Sequence, residues 1–84
     1  MKKPLRENLG WYGTLAIVAA YALANFSLLD IHGLPYLLLN LTGSSAIVYE
    51  ALPKKDYQSV FINAVWIAVA VTVLLKIVAQ TAAQ

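Results

Sequence analysis

The chain has 84 residues, of which 61% are hydrophobic and only 12% are charged, and its formal net charge is +2 at pH 7. This composition leaves no room for two domains and is too apolar for a small soluble fold, since soluble domains average about 45–50% apolar and about 25% charged residues. The absence of cysteine excludes disulfides and thiolate chemistry, and so small a positive charge is not typical of nucleic-acid binding.

Three long apolar segments predict three transmembrane helices. In chain order, they cover about residues 9–30, 34–52 and 57–78. Each is close to the roughly 20 residues with which a helix crosses a hydrocarbon core of about 30 Å. The continuous apolar pattern is typical of membrane helices and not of alternating strands. We therefore predict an all-α membrane protein, a bundle of three transmembrane helices in one domain of residues 1–84.

Short turns separate the three segments. Asp30, Gly33 and Pro35 predict a tight turn before the second helix, where a proline in the first helical turn loses no hydrogen bond. Pro53 marks the second turn, and Asp56 is a candidate N-cap of the third helix. Because both connections are short, consecutive helices should be antiparallel.

The N-terminal region has one alternative interpretation. Lys2, Lys3 and Arg6, followed by an apolar stretch and Ala22–Ala24, resemble a secretory signal peptide with its cleavage site. The apolar stretch continues to Leu29, however. We therefore expect this segment to be retained as the first transmembrane helix.

The basic residues are concentrated on one side of the predicted bundle. That side carries Lys2, Lys3, Arg6, Lys54 and Lys55, whereas the other side carries Lys76. The positive-inside rule then places the N-terminus and the second connection in the cytoplasm, and the C-terminus outside.

Small residues predict where the helices meet. They are Ala16, Ala20 and Ala24 in the first helix, Gly43–Ala46 in the second, and Ala64, Ala68 and Thr72 in the third. Lipid supplies no hydrophobic force between helices, so close contact between small residues is what holds them together. We expect the bundle to pack along these stripes.

Polar side chains at membrane depth are the candidate functional residues. They are Asn63, Trp66, Asn40, Asn25 and Tyr21. An amide that faces hydrocarbon without a partner is costly, so each should face another helix, a cavity or a second subunit. One interpretation is a polar cavity that binds a small solute. The other is a set of interhelical hydrogen bonds that hold the bundle or its oligomer together.

The ionisable residues do not indicate catalysis. No carboxylate, histidine or lysine lies near the predicted membrane centre, which disfavours a proton relay. With one histidine and no cysteine, we predict no metal site, no cofactor and no enzyme activity. Glu50 and Lys54 are four residues apart, but Pro53 lies between them. We therefore interpret Glu50 as a residue of the membrane interface.

Three segments resemble a family of small bacterial inner-membrane proteins with no settled function, sometimes labelled transporter or permease. The segments are Trp11–Ala16, Leu39–Gly43 and Asp56–Trp66, of which Tyr57–Trp66 is the most distinctive. The resemblance covers nearly the whole chain. It implies three helices in the bacterial cytoplasmic membrane and no catalytic residues.

A more distant resemblance is to the half-sized sugar transporters of the PQ-loop class (SemiSWEET-like), which dimerise around a solute path. Tyr49 on the second helix, followed by Asn63 and Trp66 on the third, is similar to the arrangement in that class. The resemblance implies that Asn63 and Trp66 contact a solute. The Pro-Gln pair that names the class is missing from the first helix, and the charge bias predicts the opposite orientation.

Two functions from different classes follow. The first is a homo-oligomeric carrier or channel subunit for a small solute, most simply a dimer, because three helices cannot enclose a path alone. The alternative is an accessory subunit that packs against a larger membrane protein. A weaker third option is a lipid-interacting protein that uses Lys54 and Lys55. We predict no nucleic-acid partner.

Overall fold

The computed structural model describes the backbone of residues 3–83 and the side chains of residues 5–83. It contains three α-helices, α1 (Lys3–Asn25), α2 (Leu34–Ala51) and α3 (Tyr57–Ala83). The all-helical prediction is confirmed. Lys2, which contributes to the predicted charge bias, lies outside the described residues.

The first helix is shifted towards the N-terminus relative to the prediction. It begins at Lys3 and ends at Asn25, instead of spanning residues 9–30. Ser27 stops it by adopting a left-handed backbone conformation with φ of 63°. The Leu28 N–H then donates to the carbonyl of Leu23 at 2.8 Å, which is the Schellman pattern of a helix end. The prediction missed this end because glycine usually occupies the left-handed position.

The first connection is a tight turn, as predicted from Asp30, Gly33 and Pro35. The Asp30 carboxylate accepts a hydrogen bond from the backbone N–H of His32 at 2.9 Å, and the Asp30 carbonyl accepts one from Gly33 at 2.8 Å. Gly33 is the N-cap of α2, and Pro35 lies in its first turn. There proline disrupts no hydrogen bond, because the first N–H groups of a helix have no partner within it.

The second connection confirms Asp56 as the N-cap of α3. Its carboxylate accepts hydrogen bonds from the backbone N–H of Ser59 at 3.4 Å and from the Ser59 hydroxyl at 2.9 Å. Lys55 precedes it in the left-handed conformation, with φ of 58°. The third helix then continues to Ala83, five residues beyond the predicted end at residue 78.

Helix α2 is the centre of the arrangement. Both α1 and α3 pack against it, whereas within residues 3–83 no Cα atom of α1 lies within 8 Å of a Cα atom of α3. The three helices therefore form an open arrangement with extents of 46 × 26 × 21 Å. Among residues 3–83, the helices that approach each other this closely are neighbours in the sequence.

Helices α1 and α2 come into close backbone contact at a pair of glycines. A Cβ atom added at Gly13 would lie 2.5 Å from the carbonyl oxygen of Gly43 and 2.7 Å from Ile47. A Cβ atom at Gly43 would lie 3.1 Å from the carbonyl oxygen of Gly13 and 3.3 Å from Ala16. The two backbones therefore touch at a point where no side chain fits.

Small residues also fill the rest of the helix interfaces. Within the described side chains, the buried apolar residues are Ala16, Ala20, Leu37, Ala51 and Ala70. The prediction for α1 is confirmed at Ala16 and Ala20, whereas Ala24 is only half-buried.

The predicted stripe on α3 is wrong. Ala64, Ala68 and Thr72 are exposed, and the buried residues of this helix are Asn63 and Ala70. The face of α3 that meets α2 is therefore rotated away from the small residues. Spacing alone did not identify that face because a membrane helix is apolar all round.

Of the described helices, α3 alone is both long enough and apolar enough to cross a membrane, with a mean hydropathy of 2.3 over its most apolar 18 residues. Helix α1 loses Phe26, Leu28 and Leu29 to the turn, which shortens its apolar run. Helix α2 has 18 residues and carries Asn40 and Glu50. A three-span bundle is therefore a proposal, considered below.

The glycine contact makes a quantitative prediction. Gly13→Ala should destabilise the protein by about 1–3 kcal/mol, the usual cost of overpacking, because the Gly43 carbonyl cannot move aside without separating the helices. Reversible unfolding by SDS in mixed micelles, followed by circular dichroism, would measure this loss.

Gly10→Ala is the matched control. Its added Cβ would meet the Glu50 side chain at 2.9 Å, and a flexible side chain can move. We expect this variant to remain close to the wild type in stability. If Gly10→Ala destabilises as much as Gly13→Ala, backbone contact is not what limits this interface.

Candidate functional site

Three of the five predicted site residues are asparagines, and the side-chain amide of each donates a hydrogen bond to a backbone carbonyl of its own helix. The Asn63 amide donates to the carbonyl of Ser59 at 2.9 Å, and the Asn40 amide donates to that of Tyr36 at 3.2 Å. The Asn25 amide donates to the carbonyl of Tyr21 at 2.9 Å. Within the described residues, each of these bonds satisfies one of the hydrogen-bonding groups of the amide, and none of them joins two helices.

Two of the predicted residues share a cavity between α2, α3 and the first connection. This outer cavity has a volume of about 200 Å³ and brings Asn40 together with Trp66. Its lining also includes His32, Tyr36, Leu37 and Ala70. Trp66 is half exposed, so its indole forms an edge of the cavity that is open to the surroundings.

The other three predicted residues lie elsewhere. Tyr21 is 68% exposed and Asn25 is also exposed, both on α1, and neither lines the outer cavity. Asn63 is buried between α2 and α3 and does not line the outer cavity. The five residues therefore do not form one site.

A buried polar residue on α2 was not among the predicted site residues. Ser44 is fully buried, and its hydroxyl oxygen has no hydrogen-bond partner among the described residues. The outer cavity sets Asn40 beside Trp66, and this antiparallel register places Ser44 at the level of Asn63. The signal in the sequence is a hydroxyl at membrane depth within the small-residue run Gly43–Ala46.

A second concave region, the inner groove, lies at the opposite end of the bundle. It has a volume of about 460 Å³ and is lined by residues that include Glu7, Gly10, Thr14, Glu50, Lys54 and Ser59. All three helices contribute to this region. Sequence analysis did not identify it, because its residues are far apart along the chain.

An ion pair between Glu50 and Lys54 lies in this groove. The interruption expected from Pro53 therefore does not keep the two side chains apart, and the interpretation of Glu50 as a residue of the membrane interface stays a prediction. Pro53 does not break the geometry, because the Leu52 N–H still bonds the Val48 carbonyl at 3.0 Å and the Lys54 N–H bonds that of Ala51 at 3.1 Å. The chain thus continues to turn far enough to bring the two side chains together.

Two polar contacts also join α1 to α2 near Gly13 and Gly43. The Arg6 guanidinium lies 4.8 Å from the centre of the Tyr49 ring and donates to the Tyr49 carbonyl at 3.3 Å. Tyr12 and Thr42 hydroxyl oxygens are 2.7 Å apart. Since the Thr42 hydroxyl donates its hydrogen to the Leu38 carbonyl, Tyr12 is the donor to Thr42.

The ion pair predicts a measurable titration. The hydrogen bond to Glu50 raises the pKa of Lys54 above its ordinary value of 10.5, with smaller contributions from the charges of Glu50, Glu7 and Asp56. Glu50→Gln should lower this pKa, and Glu7→Gln should lower it less. Observing the Lys54 side chain by NMR across alkaline pH would measure both shifts.

The sign of the linkage follows from a raised pKa. The pair stabilises the folded state below pH 10.5 and loses that effect as the pH rises through the higher folded pKa. The pair should therefore give no pH dependence near neutrality. Equal shifts in the two variants would contradict the assignment to Glu50.

These features define a class, a small all-helical protein with at least one helix able to span a membrane. The chain belongs to a small family of uncharacterised proteins, whose family model matches residues 7–81. No curated protein and no solved structure matches the chain. None of these comparisons links it to the PQ-loop transporters.

Proposed function

We propose that this chain is an integral membrane protein of the bacterial cytoplasmic membrane, spanning it three times with the N-terminus inside. The observation that carries the proposal is the distribution of apolar side chains. The helix interfaces are made mainly of alanine and glycine, whereas large apolar residues such as Leu15, Leu38 and Phe61 are exposed. Water would make that arrangement unstable, and lipid would stabilise it.

Helix α3 supports the membrane location by its exposure. Only 11% of its most apolar window is buried, whereas the core helix of a soluble protein is mostly buried. It also lies at the C-terminal end of the chain, away from the position of a signal sequence.

The proposal also requires α1 and α2 to cross the bilayer beside α3, although of the described helices only α3 meets the hydropathy expected of a membrane span. The sequence has no charged residue between Glu7 and Asp30. In α2 the carboxylate of Glu50 lies in the last turn and is paired with Lys54. At about 1.5 Å per residue α2 is about 27 Å long, close to the thickness of a hydrocarbon core.

Within the membrane, the geometry favours the role of a subunit in a larger assembly. In the described part of the chain, the backbones of α1 and α3 do not pack against each other, so one chain encloses no path across the bilayer. The asparagines bond their own helices. Both features fit an accessory subunit that packs against a larger membrane protein.

A homo-oligomeric carrier, most simply a dimer, is the second candidate. The observation in its favour is the outer cavity, where Asn40 and Trp66 meet. A second copy would be needed to close a path around such a cavity, because α1 and α3 of one chain do not pack against each other in the described residues.

Single-cysteine labelling would test the three-span topology. The native chain has no cysteine, so each introduced thiol is unique. In spheroplasts, a membrane-impermeant maleimide should label Asp30→Cys and Ala83→Cys. It should label Lys55→Cys only after permeabilisation.

Asp30 distinguishes the alternatives. If α3 alone crosses the membrane, position 30 lies on the same side as position 55, and both require permeabilisation. That labelling pattern would contradict the three-span proposal while leaving the membrane location intact.

The mass of the protein in its membrane assembly would separate the two functional candidates. Purification in mild detergent, with light scattering corrected for bound lipid, should yield a complex with a larger protein in fixed stoichiometry if the accessory role is correct. A symmetric homo-oligomer would favour the carrier instead. A persistent monomer would contradict both.

A further inference from the structure

We propose that the outer cavity is a binding site for a small uncharged molecule with an apolar body and one hydrogen-bonding group. This inference goes beyond the assembly role and requires no transport. It rests on the chemistry, the volume and the location of the cavity.

The walls of the cavity would hold an apolar body. Leu37 and Ala70 are both buried at its base, and the Trp66 indole lies along one edge. Val69 and Val73 complete the α3 side. The aromatic and aliphatic side chains of this lining could contact the flat ring of a ligand on more than one side.

One amide supplies the polar contact. The Asn40 side chain is half-buried, and it spends one N–H on the carbonyl of Tyr36. An asparagine amide has a second N–H and a carbonyl oxygen with two lone pairs. These groups can bond a carbonyl, hydroxyl or amide of a ligand, and a partner there would satisfy a polar group that is partly withdrawn from solvent.

The electrostatics exclude a charged ligand. Among the side chains of residues 5–83, no aspartate, glutamate, lysine or arginine lines the cavity, so an ion would enter a largely apolar space without a countercharge. His32 contributes to the lining, but its side chain is 70% exposed, with Nδ1 4.0 Å from the Asp30 carboxylate. It therefore lies at the rim, where its imidazole is exposed.

The volume limits the size of the ligand. At about 200 Å³, the cavity is smaller than the roughly 300–1,000 Å³ of sites for drug-sized molecules. It therefore suits a molecule with a single ring. It lies beside the first connection, and in the proposed topology this connection faces the outside of the cell.

The chain supplies its own optical probe for this site. It has two tryptophans, so Trp11→Phe leaves Trp66 as the only one. The full chain carrying this substitution, in nanodiscs, would be titrated with benzamide. Benzamidinium, which has the same shape and a positive charge, would be titrated in parallel.

We expect benzamide to change the Trp66 emission with a saturating curve, and benzamidinium to have little effect at the same concentrations. Ala70→Leu would fill the cavity and should abolish the saturating response. Ala68→Leu is the matched control, because the same substitution on the exposed side of α3 should leave the response intact. Asn40→Leu should weaken binding about tenfold, as expected for one lost hydrogen bond.

Three outcomes would overturn the proposal. A non-saturating response that is equal in Ala70→Leu and Ala68→Leu would show partition into lipid. Equal binding of benzamidinium would refute the charge argument. Benzamide binding by Asn40→Leu as tight as that of the parent protein would refute the role of the amide. If Ala70→Leu does not fold, the result for Asn40→Leu decides whether the binding site is correctly assigned. None of these outcomes depends on the oligomeric mass, so failure here is separate from failure of the assembly role.

Discussion

The contact between Gly13 and Gly43 determines the rest of the arrangement. Since each backbone lies where a Cβ atom of the other helix would be, α1 and α2 approach more closely at this point than larger residues would allow. That approach buries Ala16 and brings Glu50 against Gly10. In a bilayer, burying apolar surface between two helices gives little free energy, because lipid is as apolar as the side chains. Close contact between backbones then stabilises the helix pair by van der Waals attraction, which larger side chains would weaken by holding the helices apart.

Much of the fold could be predicted from local chemistry. Helix number, the turn at Asp30–Gly33 and the cap at Asp56 each depend on a few adjacent residues. The end of α1 could not, because Ser27 takes a conformation usually given to glycine. The contact face of α3 could not either, since apolar residues surround that helix and only its packing against α2 selects Asn63 and Ala70.

The candidate site was harder to predict for a related reason. Depth along a helix follows from counting residues, and Asn40 and Trp66, both chosen on that basis, line the same cavity. The direction of a side chain around the helix axis follows from packing, which placed Tyr21 and Asn25 on the outside. Back-bonding of each asparagine to the carbonyl four residues earlier also gives these amides a local partner, so polarity at depth does not by itself indicate a shared cavity.

The separation of α1 from α3 has a consequence for biosynthesis. Because the close backbone contacts among residues 3–83 join helices that are adjacent in the sequence, the α1–α2 hairpin can form its backbone contacts before α3 has been synthesised. Such a contact pattern favours folding in the order of translation. The most apolar of the three helices is then synthesised after the surface on which it docks.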